Sequence, residues 1–177
     1  STLLALDLPG FGESSEPSTP WNLEDYALCV VKYLDTLNIS QVDIVCHSFG
    51  GRITTKLLQL HPDLIRKVVY LAPAGILHKS AKVALSRKIA HLVKPILHLP
   101  LLRTAFPTIQ QLSYKLLGSR DYLQTSAVMR ETFQKVIAED TSPILSTIRK
   151  PVYIFWGRHD SYVPISDAMI MHNAIAH

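Results

Sequence analysis

Two cysteines are too few for a disulfide framework, and Cys29 and Cys46 stand in no Cys/His spacing that resembles a zinc site. That scarcity suits a reducing, cytoplasmic setting, with no metal and no organic cofactor expected. No run approaches the 18 or so consecutive apolar residues of a membrane span. The opening Ser1-Thr2-Leu3-Leu4-Ala5-Leu6 lacks a basic region, so it is not a signal peptide. It reads instead as a strand already in progress, and His177 falls within a helical pattern. Both ends predict an internal piece of a longer chain. What remains is ordinary for a globular domain: 177 residues, 47% apolar and 18% charged, enough for one core and an inserted subdomain.

Acidic side chains are missing from one long stretch. Between Leu64 and Arg120 there are ten Lys or Arg and no Asp or Glu, which accounts for the net charge of +4. The basic residues are interleaved with Leu, Ile and Val and form no nucleic-acid-binding module, so a solvated helical face is the first reading. Contact of this basic stretch with an anionic lipid surface is the second.

Short apolar runs at residues 2–7, 42–46, 67–71 and 152–156 predict strands buried on both faces of a parallel sheet. Helical patterns lie between them. Residues 23–37 place Leu23, Ala27, Val30, Val31, Leu34 and Leu37 on one side, with Asn22 as N-cap and Asp25 three residues on. Residues 52–61 form a second helix that stops before Pro62. This alternation predicts βαβ units. From about residue 73 to 149 it ceases, and only helical patterns remain. Leu85, Ile89, Leu92, Val93, Ile96 and Leu97 make one stripe, which Pro95 should kink or end. Shorter helices are expected near 114–117, 122–129 and 131–138, and a last one over 165–176. The sheet core is therefore expected in 1–72 and 150–177, with a helical cap or lid over 73–149.

The chemistry concentrates at Cys46-His47-Ser48-Phe49-Gly50-Gly51, where an apolar strand runs directly into a helix. A serine on so sharp a turn has its hydroxyl held clear of the sheet, with the next backbone N–H, that of Phe49, aimed at the same space. This is the geometry of a nucleophile elbow. Gly50 and Gly51 open a helix, where each costs about 1 kcal/mol relative to alanine, and close packing against the strand supplies the reason. Cys46 stands where glycine is usual. Asp160 follows the strand 152–156 past Gly157 and can accept an imidazole N–H, and the order Ser48 then Asp160 fits a Ser–Asp–His triad. The loop Asp7-Leu8-Pro9-Gly10-Phe11-Gly12-Glu13-Ser14 lacks the third glycine of a dinucleotide fingerprint. Pro9, Gly10 and His47 are expected to line the site, and Asp7 to be structural.

Taken in order, the glycine-bent loop, the Ser48 elbow and Trp156-Gly157-Arg158-His159-Asp160 resemble the α/β-hydrolase family over essentially the whole chain. The resemblance implies an α/β fold with a mostly parallel sheet and a cap inserted between strands. It implies a serine hydrolase acting on a small acyl substrate, of the esterase type, with C–C bond hydrolase, peptidase or acyltransferase chemistry open. A serine nucleophile argues against the branches that use aspartate. Two parts of the family pattern are not visible: the loop giving a second oxyanion donor and the catalytic histidine, expected beyond residue 177. His47, His78, His91, His98, His159, His172 and His177 each read as an ordinary surface or core histidine. The rival reading is a non-catalytic binding protein on the same fold, docking lipid or a partner through its basic cap.

Overall fold

In the computed structural model, residues 2–78 and 125–175 are described. The expected lid stripe at 85–97, the helix at 114–117 and most of the basic stretch lie outside them. The chain divides into two compact units, Ser1–Leu77 with Glu131–His177, and His78–Arg130. The helical stretch expected over 73–149 is thereby divided, residues 131–149 lying in the unit that holds the sheet.

In the first unit, α1 (Leu23–Thr36) starts where the capping signal places it. Asn22 Oδ1 accepts from the Asp25 N–H at 3.0 Å and Asp25 Oδ2 accepts from the Asn22 N–H at 2.8 Å, a reciprocal cap that contributes about 1 kcal/mol. Asn38, at φ +55°, closes the helix: its N–H and that of Ile39 reach Asp35 O and Leu34 O, both at 3.0 Å. The chain then forms β1 (Val42–Ser48), α2 (Phe49–Leu60), a 3₁₀ turn at Pro62–Leu64 and β2 (Ile65–Pro73). After the second unit come the end of α3 (Ala127–Ala138), α4 (Ser142–Leu145), β3 (Val152–Phe155) and α5 (Ser166–Ala174). The three strands pair in parallel in the order β1-β2-β3.

Residues 2–7, expected as a strand, take no part in this ladder, and Leu3 is 91% exposed. β propensity reports fit to a pleated surface, but a strand also needs a neighbour, and none of the three strands pairs with this run. Burial on both faces is also corrected. Ile44, Cys46, Val68, Tyr70, Val152 and Ile154 face a core shared with Ala27, Leu57, Leu58, Leu145, Met171 and Ile175 from the helices. On the opposite face Val45 (66%), Tyr153 (55%) and Phe155 (58%) are exposed. Continuous apolar strands carry the capacity for two covered faces, whereas the described helices of this unit pack on one.

Of the second unit, the described residues are His78 and 125–130. Ser126 Oγ accepts from the Met129 N–H at 3.1 Å, capping the start of α3.

Candidate active site

The elbow is the carboxyl end of β1 meeting the amino end of α2. Ser48 sits there at φ +47°, ψ −112°, a backbone conformation that L-residues rarely adopt. A serine preceding a helix ordinarily accepts a hydrogen bond from the first-turn amides, but Ser48 makes no such cap. Its hydroxyl is therefore not used by the helix. The first-turn N–H groups of α2 lack intrahelical acceptors, and no acidic side chain lies in that turn. They leave partial positive charge beside Ser48, of the sign that a developing oxyanion needs.

Three contacts hold this strained turn. The pairing of β1 with β2 skips a residue, from His47↔Leu71 to Ser48↔Pro73, leaving Ala72 as a bulge at φ +40°. The bulge drives Pro73 against the helix start: a Cβ on Gly51 would lie 2.2 Å from Pro73 Cβ and 2.8 Å from Pro73 Cα. A Cβ on Gly50 would lie 3.3 Å from Cys46 Cβ, so cysteine in the first motif position is accommodated because Gly50 has none. The Ala74 N–H donates to Ser48 O at 2.9 Å, completing the brace. Deeper in, Thr55 Oγ donates to Gly51 O at 2.9 Å, which leaves the Tyr70 hydroxyl to donate to Thr55 Oγ, also at 2.9 Å. Burial pushes the Cys46 thiol up to about 11, so it is a neutral packing group at physiological pH.

The glycine-bent loop lies against the elbow helix. Gly10 (φ +86°) and Gly12 (φ +53°) turn it, and a Cβ on Gly12 would meet the Asp7 carboxylate at 2.3 Å. Asp7 organises the loop, accepting from the Glu13 N–H (3.1 Å) and, through its carbonyl, from the Ser14 hydroxyl (2.6 Å). The Tyr26 hydroxyl donates to Pro9 O at 3.1 Å. Phe11 then packs its ring on Phe49 at 5.4 Å, and Tyr26 meets Phe49 edge-on at 5.2 Å. Sequence reasoning named Pro9 and Gly10 but not Phe11, which is the loop residue in ring contact with Phe49. An aromatic between two glycines, exposed by the turn they make, was the available signal.

Asp160 follows β3 through a turn closed by its own N–H on Gly157 O at 3.2 Å. Its Oδ1 accepts the N–H groups of Val163 and Tyr162, both at 2.9 Å. These two bonds, with a smaller contribution from the nearby His47 imidazole, hold the carboxyl below the usual aspartate range. Oδ2 has no hydrogen bond among the described residues, which orients one free oxygen on a fixed carboxylate. His47 is exposed on β1 and shares the electrostatic field of Asp160. A cavity of about 290 Å³ between β3 and α5 is lined by Val152, Ile154, Ala168, Met169, His172 and Ile175 and includes neither Ser48 nor Asp160. Among the described residues no group of three or more His, Cys, Asp or Glu could hold a metal ion. No helix among them is long and apolar enough to cross a membrane.

Known proteins share this fold. A family model described as alpha/beta hydrolase fold matches residues 2–177. The 2-hydroxymuconate semialdehyde hydrolase of Pseudomonas sp. (strain CF600) is 37% identical over 75 residues, 42% of this chain and 26% of that protein. An uncharacterized protein of Mycobacterium tuberculosis (strain ATCC 25618 / H37Rv) is 25% identical over 201 residues, 98% of this chain and 58% of its own length. Among solved structures, the enol-lactonase from Burkholderia xenovorans LB400 superposes with a TM-score of 0.65 at 23% identity, covering 96% of this chain and 67% of that one. The chain thus covers less than two thirds of the length of these curated relatives.

Proposed function

We propose that this chain, which belongs to the alpha/beta hydrolase fold family, carries the nucleophile and the orienting acid of a serine hydrolase. The observation that carries the reading is the Ser48 backbone at φ +47°, ψ −112°, braced by Gly51 on Pro73, with the hydroxyl not used as a helix cap. Strain of this kind, about 1–3 kcal/mol, persists where surrounding packing enforces it.

Ser48 Oγ attacks the carbonyl carbon of a small ester-type substrate. The negative charge that forms on the carbonyl oxygen is received by the Phe49 N–H at the start of α2. The proton leaving Ser48 passes to a histidine supplied from outside these 177 residues, which Asp160 holds in the required tautomer through its free oxygen. The same histidine protonates the leaving group, and water attacks the acyl-enzyme by the reverse course. Hydrolysis of a compound of the 2-hydroxymuconate semialdehyde kind is the second reading, favoured by the 37% identity to a hydrolase of that name over 42% of this chain.

The test is covalent labelling. With its flanking coding sequence restored, the chain should react with a fluorophosphonate probe and lose the label in Ser48→Ala. Persistent labelling of Ser48→Ala would remove the nucleophile assignment. The 177 residues alone should hydrolyse a p-nitrophenyl ester no faster than their Ser48→Ala variant.

A further inference from the structure

The peptide joining Ser48 to Phe49 carries the N–H that receives the oxyanion in the proposed reaction. Ser48 is strained at φ +47°, ψ −112°. At the same φ, the allowed left-handed region lies at ψ of about +30 to +60°. Relaxation towards it turns this one peptide plane, through opposite changes in Ser48 ψ and Phe49 φ, and swings the N–H out of line. The rest of the helix start has less freedom. Gly51 lies against Pro73. Arg52, only 8% exposed, donates from Nη1 to Val136 O at 3.1 Å and to Glu139 O at 2.8 Å. The aim of the oxyanion donor therefore depends on what holds the two ends of a single peptide.

One end is held by backbone: the Ala74 N–H donates to Ser48 O at 2.9 Å. The other end is held by a side chain. The Phe49 ring contacts two aromatic rings, Tyr26 edge-on at 5.2 Å and Phe11 tilted by 37° at 5.4 Å. Tyr26 is fully buried in a cluster with Leu23, Ile53 and Val136, whereas Phe11 is 44% exposed. An exposed ring gains little from its own burial, so something else has to hold it. Here the backbone does. The Phe11 N–H donates to Leu8 O at 2.8 Å, Phe11 O accepts from the Ser14 N–H at 3.0 Å, and the Gly10 N–H donates to Ser15 O at 3.1 Å. The Tyr26 hydroxyl on Pro9 O ties the same turn to α1. The glycine-bent loop is thus a rigid mount that presents one ring to Phe49.

We propose that Phe11 is a positioning residue for the oxyanion donor, clamping the Phe49 ring together with Tyr26 so that the Phe49 N–H keeps its aim. The proposal rests on Ser48 being the nucleophile and on the Phe49 N–H receiving the oxyanion. Phe11 acts through Phe49, and its effect belongs to the tetrahedral stage. A neutral ester carbonyl gains little from an aligned donor, and the oxyanion gains much.

The experiment compares wild type, Phe11→Ala, Phe11→Leu and Ser48→Ala in the chain with its flanking sequence restored. Endpoint fluorophosphonate labelling counts competent sites, so that kcat is expressed per site. Outright loss of an oxyanion donor costs about 10²–10³ in kcat, and a donor out of line costs less. In Phe11→Ala, kcat for p-nitrophenyl acetate should fall about tenfold with KM within about twofold. The decisive readout is a pair of ketone inhibitors. With an alkyl trifluoromethyl ketone, Ser48 Oγ bonds to the carbonyl carbon, its proton passes to the histidine and the carbonyl oxygen becomes an oxyanion. Its inhibition constant should rise about tenfold in Phe11→Ala, while that of the matched methyl ketone, which binds without adding, should stay within about twofold. Phe11→Leu, which keeps apolar bulk on Phe49, should recover most of the loss. A matched rise for both ketones, or no rise for either, would overturn the proposal. If Phe11→Ala shows no cooperative melt, Tyr26→Phe frees Pro9 O while keeping the ring on Phe49. It should give the same split between ketones in weaker form, and a missing split there would overturn the proposal equally. Labelling that survives in Ser48→Ala would instead remove the underlying nucleophile reading, an outcome separate from any behaviour of Phe11.

Discussion

Two turns at carboxyl ends of the sheet carry the proposed chemistry, and they are built in opposite ways. The turn after β1 is packed and strained: Ser48 at positive φ, a bulge opposite it at Ala72, and Gly51 in contact with Pro73. The turn after β3 is exposed and relaxed, its geometry set by two amide hydrogen bonds to one oxygen of Asp160. A nucleophile has to be aimed to within a fraction of an ångström, so rigid packing supports it. An orienting carboxylate has to stay charged and leave one oxygen free, and local hydrogen bonds suffice for that.

Substitutions can break this contrast. Asp160→Asn keeps an oxygen for the Val163 and Tyr162 amides but presents an NH₂ to the histidine, imposing the wrong tautomer. It should lower kcat/KM of the complete enzyme by a factor on the order of 10⁴, with the melting temperature unmoved. A substantial loss of stability would show that the β3 turn, too, is structurally constrained. Gly51→Ala should do the reverse. Its Cβ meets Pro73 backbone as well as side chain, so it should cost about 3 kcal/mol in denaturant unfolding. Fluorophosphonate labelling should fall with it.

The packed turn should also respond to alkali. Burial holds the Cys46 thiol up to about 11 and the Tyr26 phenol up to about 12 in the fold, against about 8.5 and 10 in an unfolded chain. The unfolded state loses these protons first. The corresponding stability is complete below about pH 8.5 and declines as pH rises towards 11. Thermal melts between pH 8 and 11 should show this decline, and Cys46→Ala should flatten its first part. The smallest effect belongs to Gly50→Ala, whose Cβ would sit 3.3 Å from Cys46 Cβ. It should cost about 1 kcal/mol, with part of that cost relieved in the Cys46→Gly background, as a double-mutant cycle would measure.

The same contrast explains what the sequence discloses. Local constraints are legible: the Asn22–Asp25 cap, the strand running into Ser48, the paired glycines and an aspartate just past a strand all lie within a few residues of what they determine. Long-range ones are not. Arg52 sits among Phe49, Ile53 and Leu57 in the chain, but the carbonyls that bury it are 84 and 87 residues away. An arginine in a short helix ordinarily reads as a surface charge. The run 2–7 failed for a related reason, since its residues fit a strand and the partner is a property of the fold. Likewise the apolar strands could not say which face the helices of their own unit would cover.

The backbone of Ser48 has a consequence for how this protein tolerates change. At φ +47°, ψ −112° a glycine is more at ease than a serine. Ser48→Gly should therefore melt at a higher temperature than Ser48→Ala, by an amount corresponding to about 1 kcal/mol. On the proposed reading, a position that becomes sturdier when its side chain is deleted is one where selection has accepted lower stability in exchange for reactivity. A stability-guided redesign that ignored function would be drawn to replace this residue first.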